Sequence, residues 1–212
     1  EDDGSYDQPR TSGAVVFLGA AAAVCLVIFL LILAASFLLP SLKEARQDQE
    51  DPDAFLHGIR LEEESMEPLK ERLAMRDCLL AEGKWEDPSF CWARQFANAD
   101  CIVIAAPYWD FGFPALLKIF LERVTVAGIT FFYDGGRPKG LCKAEKLFYV
   151  TTAGGPILKD FGFPYVQTLA KTLYGIGETI CISAENLDID GADVAGALEK
   201  AKKERDRKTQ SL

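Results

Sequence analysis

The sequence is poor in the residues from which most metal and acid–base sites are built. Its 212 residues include one histidine, His57, and none of its six cysteines stands in a C-x-x-C pair. The common zinc spacings are therefore excluded, and no metal is assigned. Grouped basic residues are scarce as well. The formal net charge is −9, and nucleic-acid backbones demand clustered Lys and Arg, so nucleic acid is excluded as a partner. The stretch from Lys200 to Lys208 alternates its charges with Glu and Asp and reads as a solvated helix end. Cys101 and Cys181 lie inside apolar runs, where a thiol behaves as a small hydrophobe. Cysteine usage points to a reducing compartment. The chain reads without an internal repeat or a low-complexity segment.

Charge is missing altogether from Gly13 to Leu39. This run is apolar on every face, exceeds the about 20 residues a helix needs to cross a bilayer core, and stops at Pro40. The expectation is a single-pass transmembrane helix over 13–40, behind a polar tail over 1–12 and ahead of a charged linker over 41–56. A buried core helix, or a strand followed by a helix, is the alternative, but such elements rarely run this long without a charge. A cleaved signal peptide would carry a basic leading region, and only Arg10 precedes the run. Lys43 and Arg46 follow it, so the positive-inside rule predicts a membrane protein with a cytoplasmic C-terminal domain.

That domain is expected over 57–205, with a tail over 206–212. His57 to Leu61 reads as a short strand. A helix is predicted over 68–81, with Leu69, Leu73 and Leu80 on one face and Gly83 as its stop. Asp87-Pro88-Ser89 opens another, ending near Asn98. Cys101 to Ala106 is a continuous apolar run, the mark of a strand buried on both faces. A helix from Pro114 to Gly128, a strand over 147–152, a helix over 165–174 and a strand over 179–183 follow. A last helix begins after Asp190 to Asp193. Alternating strands and helices predict an α/β fold, a doubly wound parallel sheet with helices on both faces.

Ligands bind such sheets beyond the carboxyl ends of the strands. Two segments fall there. Pro107-Tyr108-Trp109-Asp110-Phe111 is short and aromatic, which suits a flat ring; it equally suits an apolar cap over the sheet or a dimer contact. Asp110 reads as a cap for the Pro114 helix or as a substrate contact. Thr152-Ala153-Gly154-Gly155 carries two glycines after a strand, which lets backbone approach a ligand closely. The loops follow consecutive parallel strands and are expected side by side.

The ordered motifs Ala106-Pro107-Tyr108-Trp109-Asp110-Phe111, Gly128 to Tyr133, Gly140-Leu141 and Val150 to Gly155 resemble those of the flavodoxin-like NAD(P)H:quinone oxidoreductase and FMN-dependent azoreductase family. The resemblance covers roughly residues 60 to 200. It implies a flavodoxin-like fold, FMN as cofactor, NAD(P)H as hydride donor, and quinone or azo acceptors reduced in a ping-pong cycle. It implies that Pro107, Tyr108, Trp109, Asp110 and Phe111 line one side of the flavin and that Thr152, Ala153, Gly154 and Gly155 meet its pyrimidine end. Tyr165 is then a substrate contact, and a homodimer is expected. No catalytic side chain is assigned, since the flavin carries the hard chemistry. The family's first strand and its phosphate-binding loop have no counterpart here. The sequence therefore also admits a non-enzymatic reading, a membrane-anchored flavodoxin-like scaffold without cofactor.

Overall fold

A computed structural model describes residues 58–64, 67–68 and 72–209. The predicted span 13–40, the linker 41–56, His57 and Leu69 lie outside the described residues. Among the described residues no helix is long and apolar enough to cross a membrane.

Among the described residues three parallel strands form the sheet. They are β1 (Cys101–Pro107), a strand at Lys146–Thr152 and a strand at Glu178–Ala184, in that spatial order. A separate antiparallel hairpin, β2 (Phe131–Asp134) and β3 (Arg137–Gly140), lies between the first two in sequence. The later strands are therefore β4 and β5. The helices are α1 (Arg72–Ala81), α2 (Cys91–Asn98), α3 (Ala115–Val124), α4 (Gly162–Leu169) and α5 (Val194–Thr209). A single 3-10 turn, Pro88–Phe90, leads into α2, where the Asp87 carboxylate accepts from the Ser89 amide at 2.9 Å. A π-turn, Ala170–Tyr174, ends α4.

Alternation along the strands sorts the core into two layers. Ile102, Ile104 and Ala106 of β1, with Leu147 and Tyr149 of β4, face Phe96 of α2, Leu117, Phe120, Leu121 and Val124 of α3, and Val166 of α4. Phe148 and Val150 of β4, with Ile180 and Ile182 of β5, face the other way, toward Ala201 of α5. Helices thus cover both faces, as the alternating pattern predicts.

Several local expectations change. The described part of the predicted strand at 57–61 is irregular backbone and a turn, with Glu63 N donating to Arg60 O at 3.0 Å. Ile59 and Leu61 still rest on the core, but among the described residues no strand pairs with them. Leu73 is exposed, because α1 is seated through Leu79 and Leu80 against Phe90, Ala93 and Val126. The Pro114 helix ends at Val124, not at Gly128, which lies in a later turn at φ 88°. α5 continues through residues 206–209. The expectation that β1 is buried on both faces holds for one face only: Cys101 and Ala105 are exposed. Among the described residues β1 stands at the edge of the sheet, and α5 packs over β4 and β5 instead.

Gly140 ties the hairpin to the main body. A side chain there would collide with the backbone of Tyr174 and Gly175, so β3 meets the π-turn main chain to main chain. The π-turn also aims the buried Tyr174 hydroxyl at Thr125 Oγ1, 2.6 Å away.

Candidate functional site

The parallel register pairs Pro107 of β1 with Thr152 of β4. Both strands then end, and the Tyr108 amide donates to the Thr152 carbonyl at 2.8 Å. The two loops predicted to converge do so through this bond.

The aromatic loop folds into a tight two-residue turn. Trp109 N donates to Gly112 O at 3.2 Å and Gly112 N to Trp109 O at 2.7 Å. The central residues, Asp110 and Phe111, have φ 49° and 64°, the pattern of a type I′ turn. Aspartate tolerates this region, but a bulky residue there is an outlier, and such outliers gather at functional sites. Trp109 and Phe111 are 46% and 51% exposed, while Tyr108 sets its ring edge-on to Phe111 at 6.5 Å. Asp110 does not cap the following helix. Pro114 occupies the N-cap position and no side chain bonds there, because the left-handed turn intervenes.

Across from it, the glycine loop is zipped to the segment after β5. Leu187 N donates to Ala153 O at 3.1 Å, Asp188 N to Gly154 O at 2.9 Å and Asn186 N to Gly155 O at 3.2 Å. The carbonyls are thereby engaged, whereas the Gly154 and Gly155 amides donate to no group among the described residues. Gly154 is hemmed in by Asp188, 3.1 Å from where its Cβ would stand, but a Cβ on Gly155 would meet nothing within 4 Å. Thr151 Oγ1 and Thr152 Oγ1 are both buried and have no hydrogen-bond partner among the described residues. Buried hydroxyls without partners are uncommon and call for an explanation.

Tyr165 lies on α4, its ring 5.8 Å from Phe113 and beneath the Lys118 ammonium, also at 5.8 Å. Lys118 pairs with Glu122, and that carboxylate holds the ammonium pKa above its ordinary value. Tyr165 therefore flanks the aromatic turn through Phe113.

One element of the site escapes the sequence reading given above. The pentapeptide Asp110-Phe111-Gly112-Phe113-Pro114 recurs as Asp160-Phe161-Gly162-Phe163-Pro164, which corrects the reading of a chain without an internal repeat. Both copies join a strand to a helix, and both second phenylalanines, Phe113 and Phe163, pack against the core. Both first phenylalanines stand outside it: Phe161 is 56% exposed. The Phe161 amide donates to the Phe111 carbonyl at 2.8 Å, and the Tyr108 hydroxyl donates to the Lys159 carbonyl at 2.8 Å. The second copy is thus bonded onto the first. Here the aspartate does cap: Asp160 Oδ1 accepts from the Gly162 amide at 2.7 Å and the Phe163 amide at 3.3 Å.

A profile of the flavodoxin-like fold matches residues 59–208. The chain belongs to that family. It is 41% identical over 114 residues to an FMN-dependent NADH:quinone oxidoreductase of Lachnoclostridium phytofermentans, covering 52% of this chain and 57% of that protein. It is 40% identical over 123 residues to FMN-dependent NADH:quinone oxidoreductase 2 of Clostridium acetobutylicum, covering 53% of this chain and 61% of that protein. The chain thus spans about six tenths of the length of the curated relatives it matches. Among solved structures, an azoreductase from Bacillus anthracis superposes with a TM-score of 0.70 at 19% identity, over 86% of this chain and 91% of that one. An FMN-dependent NADH-azoreductase from the same species, solved in complex with FMN, gives 0.66 at 19% identity, over 82% and 89%. These likenesses show the same fold.

The residues present suit the ring end of FMN. A flat heterocycle needs an apolar platform and a few donors at its polar edge. Tyr108, Trp109 and Phe111 offer the platform, and the amides of Gly154 and Gly155, which donate to no group among the described residues, offer the edge.

Proposed function

We propose that this chain is an FMN-dependent NAD(P)H oxidoreductase that reduces quinones or azo compounds. The observation that carries the reading is the joining of the strained aromatic turn to the Thr152–Gly155 loop, which sets two amides that donate to no group among the described residues beside an exposed aromatic surface. FMN, when bound, supplies the two-electron hydride chemistry that connects NAD(P)H to the acceptor in a ping-pong cycle. The chain's part is to bind, orient and shield. Pro107 to Phe111 form one wall, Thr152 to Gly155 hold the polar edge of the ring, and Tyr165 bounds the acceptor space.

The test is FMN titration of the full chain in detergent, read by absorption and flavin fluorescence, followed by NADH-driven reduction of a naphthoquinone. Binding near one flavin per chain with turnover supports the reading. A folded chain that binds no flavin overturns it in favour of the cofactor-free scaffold. Trp109 fluorescence should be quenched by FMN.

We also read residues 13–40 as a single membrane span with the C-terminal domain in the cytoplasm, which would set the site near lipid-soluble quinones. Release of the full chain from membranes by alkaline carbonate would refute this. Dimerisation is the further expectation, read by the mass of the detergent-solubilised particle.

A further inference from the structure

Resting on the expectation of a dimer, we infer that two copies of this chain join edge to edge through β1, antiparallel about a two-fold axis at Val103. The outer strands of the sheet are finished differently. β5 is guarded: the Lys208 ammonium donates to the Cys181 carbonyl at 2.7 Å, and lysine on an edge strand blunts it against further pairing. β1 carries no such device. No residue from Cys101 to Pro107 is charged. Among the described residues no strand pairs beyond β1, and no side chain bonds to the main chain of Ile102 to Ala106. Every second residue there turns its amide and carbonyl away from β4. Mid-strand Ala105 is exposed, and α5, which packs over β4 and β5, leaves that face of β1 open. An uncharged, open edge of this kind is a template for another strand.

The pattern along β1 selects a second copy as the partner. Burial from Cys101 to Ala105 reads exposed, buried, half-buried, buried, exposed, the same in both directions, and an antiparallel copy presents it reversed. Pairing about Val103 sets Ile102 of one copy opposite Ile104 of the other, so buried meets buried. Cys101 then lies opposite Ala105, and the two small exposed residues cover each other. This register also leaves Pro107, which has no N–H to donate, outside the ladder, whereas a register centred on Ile104 draws it in. Other parts of the chain match the edge less well. Residues 13–40 are read above as a membrane span, and the linker over 41–56 is dense in charge and carries Pro52. A five-residue ladder is small for a free dimer, but two chains anchored in one membrane meet at a raised effective concentration. The pairing joins the two three-stranded sheets into one. The strands of the two copies run oppositely, so the loops after β1 and β4 point to opposite ends of the joined sheet and each candidate site is complete within one copy.

The experiment uses the full chain in detergent micelles, with the exposed Cys78 and Cys91 changed to Ser. In that background Ala105→Cys should give a disulfide-linked dimer on a non-reducing gel after oxidation with copper phenanthroline. The new thiol lies opposite Cys101 of the second copy, while within one strand the two positions are about 13 Å apart. Adding Cys101→Ser should abolish the linked dimer. Independently, Ala105→Lys should raise the dimer dissociation constant, measured by sedimentation in density-matched detergent, about tenfold, with a circular dichroism spectrum equal to the parent's. If Ala105→Lys disturbs the fold, the cross-link alone decides. A dimer that Ala105→Lys leaves equally tight forms elsewhere and overturns the pairing. So does a link that persists without Cys101, or that never forms. A particle of one chain at every concentration overturns it together with the expected dimer, while the flavin reading stands or falls separately on the FMN titration.

Discussion

Replacing either exposed phenylalanine by glycine offers a measurement of the strain in the aromatic turn. A left-handed backbone costs a non-glycine residue about 1–2 kcal/mol, and Phe111 has φ 64°. Phe161 has the same local sequence but φ −107°, so glycine relieves nothing there. The other terms nearly match. The rings are 51% and 56% exposed, so each loses about 1 kcal/mol of burial, half the transfer value of a fully buried ring. Glycine adds the same unfolded-chain entropy in both variants, about 0.5–1 kcal/mol. Phe111→Gly gives up an edge contact with Tyr108, and Phe161→Gly gives up the Lys159 ammonium, each worth about 1 kcal/mol or less. Phe111→Gly should therefore be the more stable variant by about 1–2 kcal/mol. In a domain of this size that separates the melting temperatures by about 2–8 °C. Urea unfolding with equal m-values gives the comparison directly. The same variant should bind FMN more weakly despite its greater stability. If Phe161→Gly proves equally or more stable, the turn holds no strain and the argument from strain to function collapses.

Gly155→Ala should leave stability within about 0.5 kcal/mol, since its Cβ meets open space, yet weaken FMN binding; unchanged flavin affinity in Gly155→Val would remove this loop from the site. Gly140→Ala should cost about 3 kcal/mol by driving β3 off the Tyr174–Gly175 backbone, and a thermal melt within a degree of the parent would contradict that packing. Alkali should destabilise the fold. Burial raises Cys142 from 9.0 to about 12 and Cys181 from 9.0 to about 11, and lifts the Tyr149 and Tyr174 phenols above 10.0. The folded state therefore keeps protons that the unfolded state releases above pH 9, so stability is full below that pH and declines from there toward 12. Urea midpoints at pH 8 and pH 10.5 check this, and equal midpoints would show that these groups ionise freely in the fold.

Much of this architecture is legible in the sequence because hydrophobic periodicity reports burial. The runs at 101–106, 147–152 and 179–183 lie within β1, β4 and β5, since strands that pack against helical layers are rich in apolar residues. The hairpin was carried by a weaker signal. Asp134-Gly135-Gly136-Arg137 is a turn sequence, and both glycines have positive φ, 57° and 79°, but Arg137-Pro138-Lys139-Gly140 has no strand-like composition. It pairs because Gly140 can approach the π-turn backbone, a tertiary reason that no local pattern contains. The half-open face of β1 is of the same kind: its residues are those of an interior strand, and their burial depends on which neighbours are present.

The repeated pentapeptide shows most sharply where local reasoning ends. Asp-Phe-Gly-Phe-Pro after β1 and the same five residues after β4 carry one set of propensities, and aspartate before such a helix favours capping. Asp160 caps; Asp110 does not. The difference lies outside the pentapeptide. Before the first copy stand Tyr108 and Trp109, directly at the strand end, and the Tyr108 amide is taken by Thr152. The chain must then reverse within two residues, and Trp109 and Gly112 close the turn around Asp110 and Phe111. Before the second copy stand Gly154 to Lys159, enough slack for Asp160 to turn back to its own helix amides. Loop length thus decides which copy is strained, and the strained copy is the one that meets the glycine loop. A chain with residues inserted between Pro107 and Asp110 should let Asp110 cap α3 and relax Phe111 to negative φ. If the strain serves to hold the aromatic surface over the flavin loops, that longer chain should fold at least as stably and bind FMN less well. Undiminished FMN affinity in a stable, lengthened chain would show that the turn's conformation is a by-product of a short connection and has no part in the site.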